Sequence, residues 1–338
     1  MDENQGKVTL DHGGGGRASR KLVESYFLPR FANPFLEKMD DSAVVDFPPG
    51  RLAVTTDCYV VDPIFFPGGD IGMLAVNGTV NDLSVQGAQP LFLSAAFILE
   101  EGFALADLER ILVSMAHASE EANVSIIAGD TKVVPRGKGD KIYINTTGVG
   151  LVQDGVDISG RNAKASDEVI LSGPIGDHGI AVLSQREGLA FGTDLRSDCA
   201  PLNHMVDQIL RVTREIHAMR DPTRGGIAAS LNEIAAQSGV GIVLTETAIP
   251  VREGVRSACE ILGLDPLYVA NEGRLLVFLP PEHASRVVER MRQNQHGRET
   301  QIIGHVVADH PGRVVMKTAA GGTRIVDMPL GEQLPRIC

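Results

Sequence analysis

The chain ends Pro335-Arg336-Ile337-Cys338, which puts a thiol on the last of its 338 residues. Chain ends are the least restrained part of most domains, so a thiol there is badly placed for an intramolecular disulfide. It is well placed to be carried between sites. Pro335 fixes one φ angle and biases the residue before it towards an extended conformation. Arg336 sets a cation beside the thiol-bearing end.

A second set of residues is acidic. It comprises Asp40-Asp41 before an apolar run, Thr55-Thr56-Asp57 after one, Asn81-Asp82 at a helix end and Gly129-Asp130-Thr131-Lys132 after another strand. The ends of strands in α/β sheets are where ligands bind. Converging carboxylates repel one another unless a cation lies among them, and Mg2+, hard and oxygen-liganded, is the natural choice. Aspartate is also a common turn residue, so the recurrence carries this reading rather than any one member. His12-Gly13-Gly14-Gly15-Gly16-Arg17 offers successive backbone N–H groups that can wrap phosphate oxygens; it reads equally as a flexible run. No Walker A sequence occurs, so any ATP is held without a P-loop. Asp221-Pro222-Thr223-Arg224-Gly225-Gly226 leads into a helix, and its glycines allow close backbone approach. Asn271-Glu272-Gly273-Arg274 precedes a strand. Glu272 is the candidate general base and Lys132 the candidate phosphate or oxyanion stabiliser, with His12 and His178 as second choices for the base.

The elements that must position these groups alternate between strand and helix. Residues 22–35 form an amphipathic stretch broken by Pro29 and Pro34. Strands are expected over 43–47, 52–56, 91–99, 125–128 and 141–152, with helices over 71–86 and 105–121; the second has apolar residues at 105, 108, 111, 112 and 115. A polar boundary falls near 154–166. Beyond it come strands over 168–171, 242–244, 275–279 and 302–307, with helices over 179–186, 203–219, 226–238 and 282–293. From Pro311 the chain is turn-rich and strand-like. The expected class is α/β (α+β) in two domains. The segments are 1–40 (glycine-rich), 41–154, 155–310 and 311–338.

A net charge of −12 disfavours nucleic-acid and anionic-membrane partners. The absence of Trp and only four Tyr leave no stacking platform for single strands. No apolar run is long enough to span a bilayer, and no signal peptide is legible. The four cysteines, Cys58, Cys199, Cys259 and Cys338, contain no C-x-x-C pair and suit a reducing, cytoplasmic setting. Cys259 reads as core.

Taken in order, His12 to Gly16, Asp40-Asp41, Thr56-Asp57, Asn81-Asp82-Leu83, Gly129 to Lys132, Asp221 to Gly226, Asn271-Glu272-Gly273 and the terminal Pro335 to Cys338 resemble one family along essentially the whole chain. It is the HypE family of NiFe-hydrogenase maturation proteins, in the PurM-like (aminoimidazole ribotide synthetase-related) superfamily. Selenophosphate synthetase and thiamine-monophosphate kinase share individual motifs; the terminal Pro-Arg-Ile-Cys is the specific one. The resemblance implies a PurM-like fold whose first domain pairs with its copy in a β-barrel-like homodimer core. It implies ATP and Mg2+ between the domains or near that dimer interface. Asp41, Asp57, Asp82 and Asp130 would be metal and phosphate ligands; His12, Gly13, Gly14, Gly15, Gly16, Asp40, Asn81, Thr131 and Asp221 would complete the nucleotide site. The implied reaction dehydrates a carboxamide on Cys338 sulfur to a thiocyanate, with Cys338, Lys132 and Glu272 as catalytic residues. HypF would load the carboxamide, and a HypC–HypD scaffold would receive cyanide for iron. Two other readings stay open: a PurM-like kinase or synthetase acting on a free small molecule, for which Cys338 would be dispensable, and a non-enzymatic thiol carrier.

Overall fold

The structure, a computed structural model, describes residues 6–14, 16–40, 42–189, 195–331, 334 and 336–338, so Gly15, Asp41 and Pro335 lie outside the described residues. In chain order the elements are α1 (Arg17–Leu22), α2 (Leu28–Phe31), β1 (Arg51–Tyr59), β2 (Phe65–Phe66), β3 (Gly69–Asp70), α3 (Ile71–Val85), β4 (Ala88–Glu100), α4 (Leu105–Ala122), β5 (Ser125–Val134) and β6 (Ile142–Val152). The second half holds β7 (Glu168–Leu171), α5 (Asp177–Glu187), α6 (Asn203–Val212), β8 (Ala218–Arg220), α7 (Gly226–Ser238), β9 (Gly241–Thr245), α8 (Glu253–Leu262), β10 (Leu276–Leu279), α9 (Pro281–Arg292), β11 (Gln301–Val307), β12 (Val314–Lys317) and β13 (Thr323–Val326).

Alternating side chains build the first sheet, ordered β1-β6-β4-β5, in which only β4 and β5 run parallel, joined through α4. Leu93, Ala95, Phe97 and Leu99 point inward under α3 and α4 and are buried. The residues between them point outward. Leu52 and Val54 of β1 are 55% and 65% exposed, and Ile98 of β4 is 44% exposed. This half therefore has one covered face and one open, partly apolar face. Helix α3 is buried on nearly every side. Asp70 starts it by accepting from the Gly72 and Met73 N–H groups at 2.8 and 3.0 Å, satisfying two donors that a helix start leaves orphaned. A Cβ on Gly78 would lie 2.3 Å from the Tyr59 hydroxyl, so only glycine lets α3 settle onto β1. Each fully buried Leu, Ile or Val here contributes about 1.5–3 kcal/mol.

The second sheet is ordered β13-β12-β9-β11-β7-β10-β8. Both of its faces are covered: α7 packs on one, α6 and α9 on the other. Its central strands are accordingly continuous apolar runs, as in Leu276–Leu279, where all four residues are buried.

Several sequence expectations need correction. Residues 43–47 form no strand. The helix expected over 203–219 ends at Val212, and Ala218–Arg220 become strand β8, pairing with β10. The apolar residues 209, 210, 216 and 219 read as one helical stripe because the turn at 213–217 carries no glycine or proline. Pro29 does not break the first amphipathic stretch. A π-turn at Val23–Phe27 precedes it, and such a turn accommodates a residue that cannot donate to the helix. Strand β1 runs through Asp57 and β5 through Lys132, so these groups lie within strands rather than after them, and Asn81-Asp82 lie one turn inside α3.

Candidate active site

Four carboxylates converge where the two halves meet. Asp57 comes from β1, Asp82 from α3, Asp221 from the turn after β8, and Glu272 from the loop before β10. Thr79 Oγ1 donates to Asp57 at 3.3 Å and Thr55 Oγ1 to Asp82 at 2.9 Å. Burial, then the charge of Asp82 and a hydrogen bond with it, raise the Asp57 pKa to about 6. Asp221 is raised well above the usual range by burial and by the charges of Asp82 and Asp57. Glu272 is raised likewise, by burial first and then by Asp221 and Asp198, with Arg224 opposing. It is 3% exposed, and its Oε1 has no hydrogen-bond partner. Like charges facing one another this closely favour the protonated forms of Asp221 and Glu272, and a cation among them would oppose that. The donor set is all oxygen, which suits a hard divalent cation.

The other predicted ligands lie elsewhere. Across the sheet Asp57 pairs with Thr146, Thr146 with Ala95, and Ala95 with Gly129. Three strand spacings put Asp130, the next residue, about 14 Å away. It also stands on the opposite face, because it pairs with outward Ala96 while Ala95 is buried. Lys132 shares this face, with Nζ 3.7 Å from the Asp130 carboxylate. Asp130, Thr131 and Lys132 line a cavity of about 320 Å3 together with His12, Gly13 and Asp40, at the small end of ligand sites. Its other wall is apolar and includes Phe27, Phe31 and Phe97. His12 Nδ1 bonds Thr9, closing the turn that carries the glycines. Gly13 lies so close to β5 that a Cβ would meet the Val133 nitrogen at 2.5 Å. Among the described glycines of this run, Gly16 has open space around it, and a Cβ on Gly14 would make only ordinary contact with the Asp11 carbonyl at 3.7 Å. Asn81 is spent on packing: it donates to the carbonyls of Ala200 and Glu272 at 3.1 and 3.4 Å and accepts from Leu202 N at 2.8 Å.

The arm is docked. Ile337 is 2% exposed and joins the first core, against which Cys338 packs half-buried. Its backbone lies along residues 60–62. Val60 N donates to Cys338 at 3.2 Å, Asp62 N donates to Arg336 at 3.1 Å, and Arg336 Nε returns a bond to Val60 at 3.1 Å. The Arg336 guanidinium pairs with Asp140. Arg186 Nη2 donates to the Arg336 carbonyl at 2.7 Å, and His178 Nε2 lies 2.8 Å from the Ile337 carbonyl. Val60 follows Tyr59, on whose hydroxyl the charges of Asp57 and Glu272 act. The arm thus ends against the continuation of the strand that carries Asp57, and Ile337 lines a cavity with Arg224, whereas Lys132 stands across the sheet.

Residues 39–152 match the AIR synthase related protein N-terminal domain, and residues 164–317 match its C-terminal domain. The carbamoyl dehydratase HypE of Azotobacter vinelandii is 54% identical over 338 residues, spanning 100% of this chain and 99% of that protein. The chain belongs to the HypE family. A crystal structure of hydrogenase maturation protein HypE in complex with ATP matches with a TM-score of 0.95 and 52% identity, covering 98% of this chain and 100% of that one. A chain of a HypE–HypF complex matches with a TM-score of 0.81 and 48% identity over 91% and 99% of the two chains. The PurM-like expectation for the fold holds.

The sequence reading missed the residues that frame the site. Arg224, exposed beside Leu334 and Ile337 of the arm in a cavity of about 340 Å3, is the cation whose charge acts on both Asp57 and Glu272. It lay inside a quoted motif but had no partner in sequence to reveal it. Asp198 and Ser197 sit in a loop whose sequence gives no signal.

Proposed function

We propose that this chain is an ATP-dependent carbamoyl dehydratase that converts a carboxamide on Cys338 into a thiocyanate. The observation that supports this most is the docked arm: Cys338 is bonded to the continuation of the strand that carries Asp57, and Ile337 shares a cavity with Arg224, the cation that acts on Glu272. An amide oxygen is a poor leaving group, and transfer of the γ-phosphoryl of substrate ATP makes it a good one. One N–H proton leaves as oxygen takes the phosphoryl group, giving S–C(OPO3)=NH. The second leaves as the C–O bond breaks, giving S–C≡N and inorganic phosphate that keeps the carboxamide oxygen. Glu272 receives a proton; charge brought among its acidic neighbours frees it to ionise, and burial keeps it basic. Lys132 offers positive charge to the transferring phosphoryl group. His12, Gly13, Asp40 and Thr131 line the room for the rest of the nucleotide.

Asp57, Asp82 and Asp221 fit Mg2+, since they are oxygen donors close enough that the charge of Asp82 raises the pKa of both Asp57 and Asp221. When bound, the ion supplies charge that offsets the triphosphate and the carboxylates. Asp130 stands apart from this set within one chain, on the open sheet face. A second copy packed on that face, covering Leu52, Val54 and Ile98, is the homodimer we propose. The relative crystallised with HypF supports HypF as the donor of the carboxamide to Cys338. For loading, and for delivery to a HypC–HypD scaffold, the arm must undock. Among the described residues no helix is long and apolar enough to cross a membrane. The carrier reading needs Cys338 as a free thiol, which a reducing cytoplasm maintains, and we place the chain there.

The test is intact-protein mass spectrometry after HypF, carbamoyl phosphate and ATP, using the parent and Cys338→Ala. An adduct on Cys338 that loses one water on adding Mg-ATP is expected, with the carboxamide oxygen recovered in phosphate from oxygen-18-labelled substrate. Turnover of a free small molecule by the Cys338→Ala variant would refute the reading.

A further inference from the structure

The loop of residues 195–200 bonds directly to Glu272 and reaches the arm through His178. On the arm side stands His178, fully buried in the first turn of α5. Its Nε2 is 2.8 Å from the Ile337 carbonyl and its Nδ1 is 2.8 Å from Ser197 Oγ. A carbonyl can only accept, so Nε2 carries the hydrogen, Nδ1 carries the lone pair, and the Ser197 hydroxyl donates to it. Burial lowers the His178 pKa and favours this neutral ring. Ser197 Oγ in turn accepts from Cys199 N at 3.0 Å, and Ser197 N donates to the Pro67 carbonyl at 2.8 Å, fastening the loop to the first half of the chain.

On the other side, the buried Asp198 carboxylate accepts from the N–H groups of Glu272 and Gly273, each at 3.2 Å, and lies 3.3 Å from Arg274 Nε. A Cβ on Gly273 would meet the Asp198 carbonyl oxygen at 1.9 Å, so the two loops are in direct backbone contact. Ala200 N completes the seam by donating to the Glu272 carbonyl at 3.3 Å. A continuous path of hydrogen bonds and one short stretch of backbone therefore joins the Ile337 carbonyl to the backbone of Glu272.

We propose that this loop couples docking of the Cys338 arm to placement of Glu272, with His178 and Ser197 latching the arm and Asp198 holding the glutamate. His178 is then a positioning residue rather than the base. When the arm leaves, Nε2 keeps its hydrogen with no acceptor in a buried setting, which favours return of the arm. The coupling rests on the reading of Cys338 as carrier, but the latch is testable without it.

The experiment follows iodoacetamide alkylation of Cys338, read on the C-terminal peptide by mass spectrometry, in the full-length parent, His178→Asn, Ser197→Ala, Asp198→Asn and the Ser197→Ala/Asp198→Asn double variant. Loss of one such hydrogen bond should speed alkylation roughly fivefold in His178→Asn, and by less in Ser197→Ala. The double variant should depart from the product of the two single effects, as coupled sites do. In the two half-reactions, His178→Asn and Ser197→Ala should load carboxamide from HypF as fast as the parent or faster, yet dehydrate it more slowly. A merely structural role would slow both alike. Parent-like alkylation in His178→Asn and Ser197→Ala, multiplicative effects in the double variant, or equal loss in the two half-reactions each overturns the proposal. If His178→Asn does not fold, Ser197→Ala, which loses only a hydroxyl, and the double variant decide it. If the parent performs no dehydration, the dehydratase reading fails, and the alkylation series still judges the latch.

Discussion

Replacing Glu272 by Gln separates stability from activity at one residue. Glu272 is 3% exposed, its Oε1 is unpartnered, and Asp221, Asp198 and Asp82 act on it with Arg224 opposing. Its pKa in the folded chain is therefore well above the ordinary 4.5. The unfolded chain releases this proton near pH 4.5 while the folded chain keeps it. Folding is thus relatively favoured below pH 4.5 and loses stability as pH rises towards the folded pKa, by about 1.4 kcal/mol for each unit of the difference. Glutamine has the same shape and no charge to hold. It leaves amide hydrogens without acceptors, a constant cost of about 1 kcal/mol. The advantage of the variant should therefore grow with pH above 4.5 and reach about 1 kcal/mol or more by pH 8. Urea midpoints for parent and variant at pH 5, 6, 7 and 8 measure it, with dehydration of the Cys338 carboxamide assayed in parallel and expected to be lost. A variant less stable by the same amount at every pH would refute the argument, because it would mean that Glu272 is not destabilised in its charged form.

Four further outcomes are expected. His178 is held below its ordinary 6.5 by burial; the unfolded chain takes up a proton that the folded chain refuses, so stability falls as pH drops below 6.5, by up to about 1.4 kcal/mol per unit. The difference in stability between the parent and His178→Asn, measured by denaturation at pH 7.5, 6.5 and 5.5, should follow this slope. Lys132→Ala should slow dehydration at least about 100-fold, the cost of a lost charge-stabilising donor, yet leave the melting temperature unchanged, since the lysine side chain is 66% exposed. Val54→Lys, on the open face of the first sheet, should convert a dimer to a folded monomer by light scattering. Gly13→Ala should destabilise by about 1–3 kcal/mol on thermal melting, because its Cβ would meet the Val133 nitrogen at 2.5 Å.

Periodicity alone located the long elements, because α4 and the buried strands of the second sheet carry patterns that only one packing satisfies. It misjudged Ala218–Arg220, where a three-residue edge strand is decided by pairing with β10 rather than by its own residues. It also read Thr55 to Asp57 and Gly129 to Lys132 as strand ends, since polar residues inside a strand look like the end of one until the neighbouring strands are known.

The motif set and the terminal cysteine were enough, by themselves, to identify the family and its chemistry, because those residue types in that order serve few other purposes. Which of them meet was a matter for the tertiary structure alone. It brought Asp57, Asp82, Asp221 and Glu272 together and set Asp130 and Lys132 on the far face of the same sheet, because a strand sends successive side chains to opposite faces and the distance between strands is invisible in the chain. It also seated Ile337 in the core and turned His178 from a possible base into a clamp on the arm. These roles depend on contacts between residues far apart in the chain, such as His178 and Ile337, 159 positions apart, and no local spacing records such a contact.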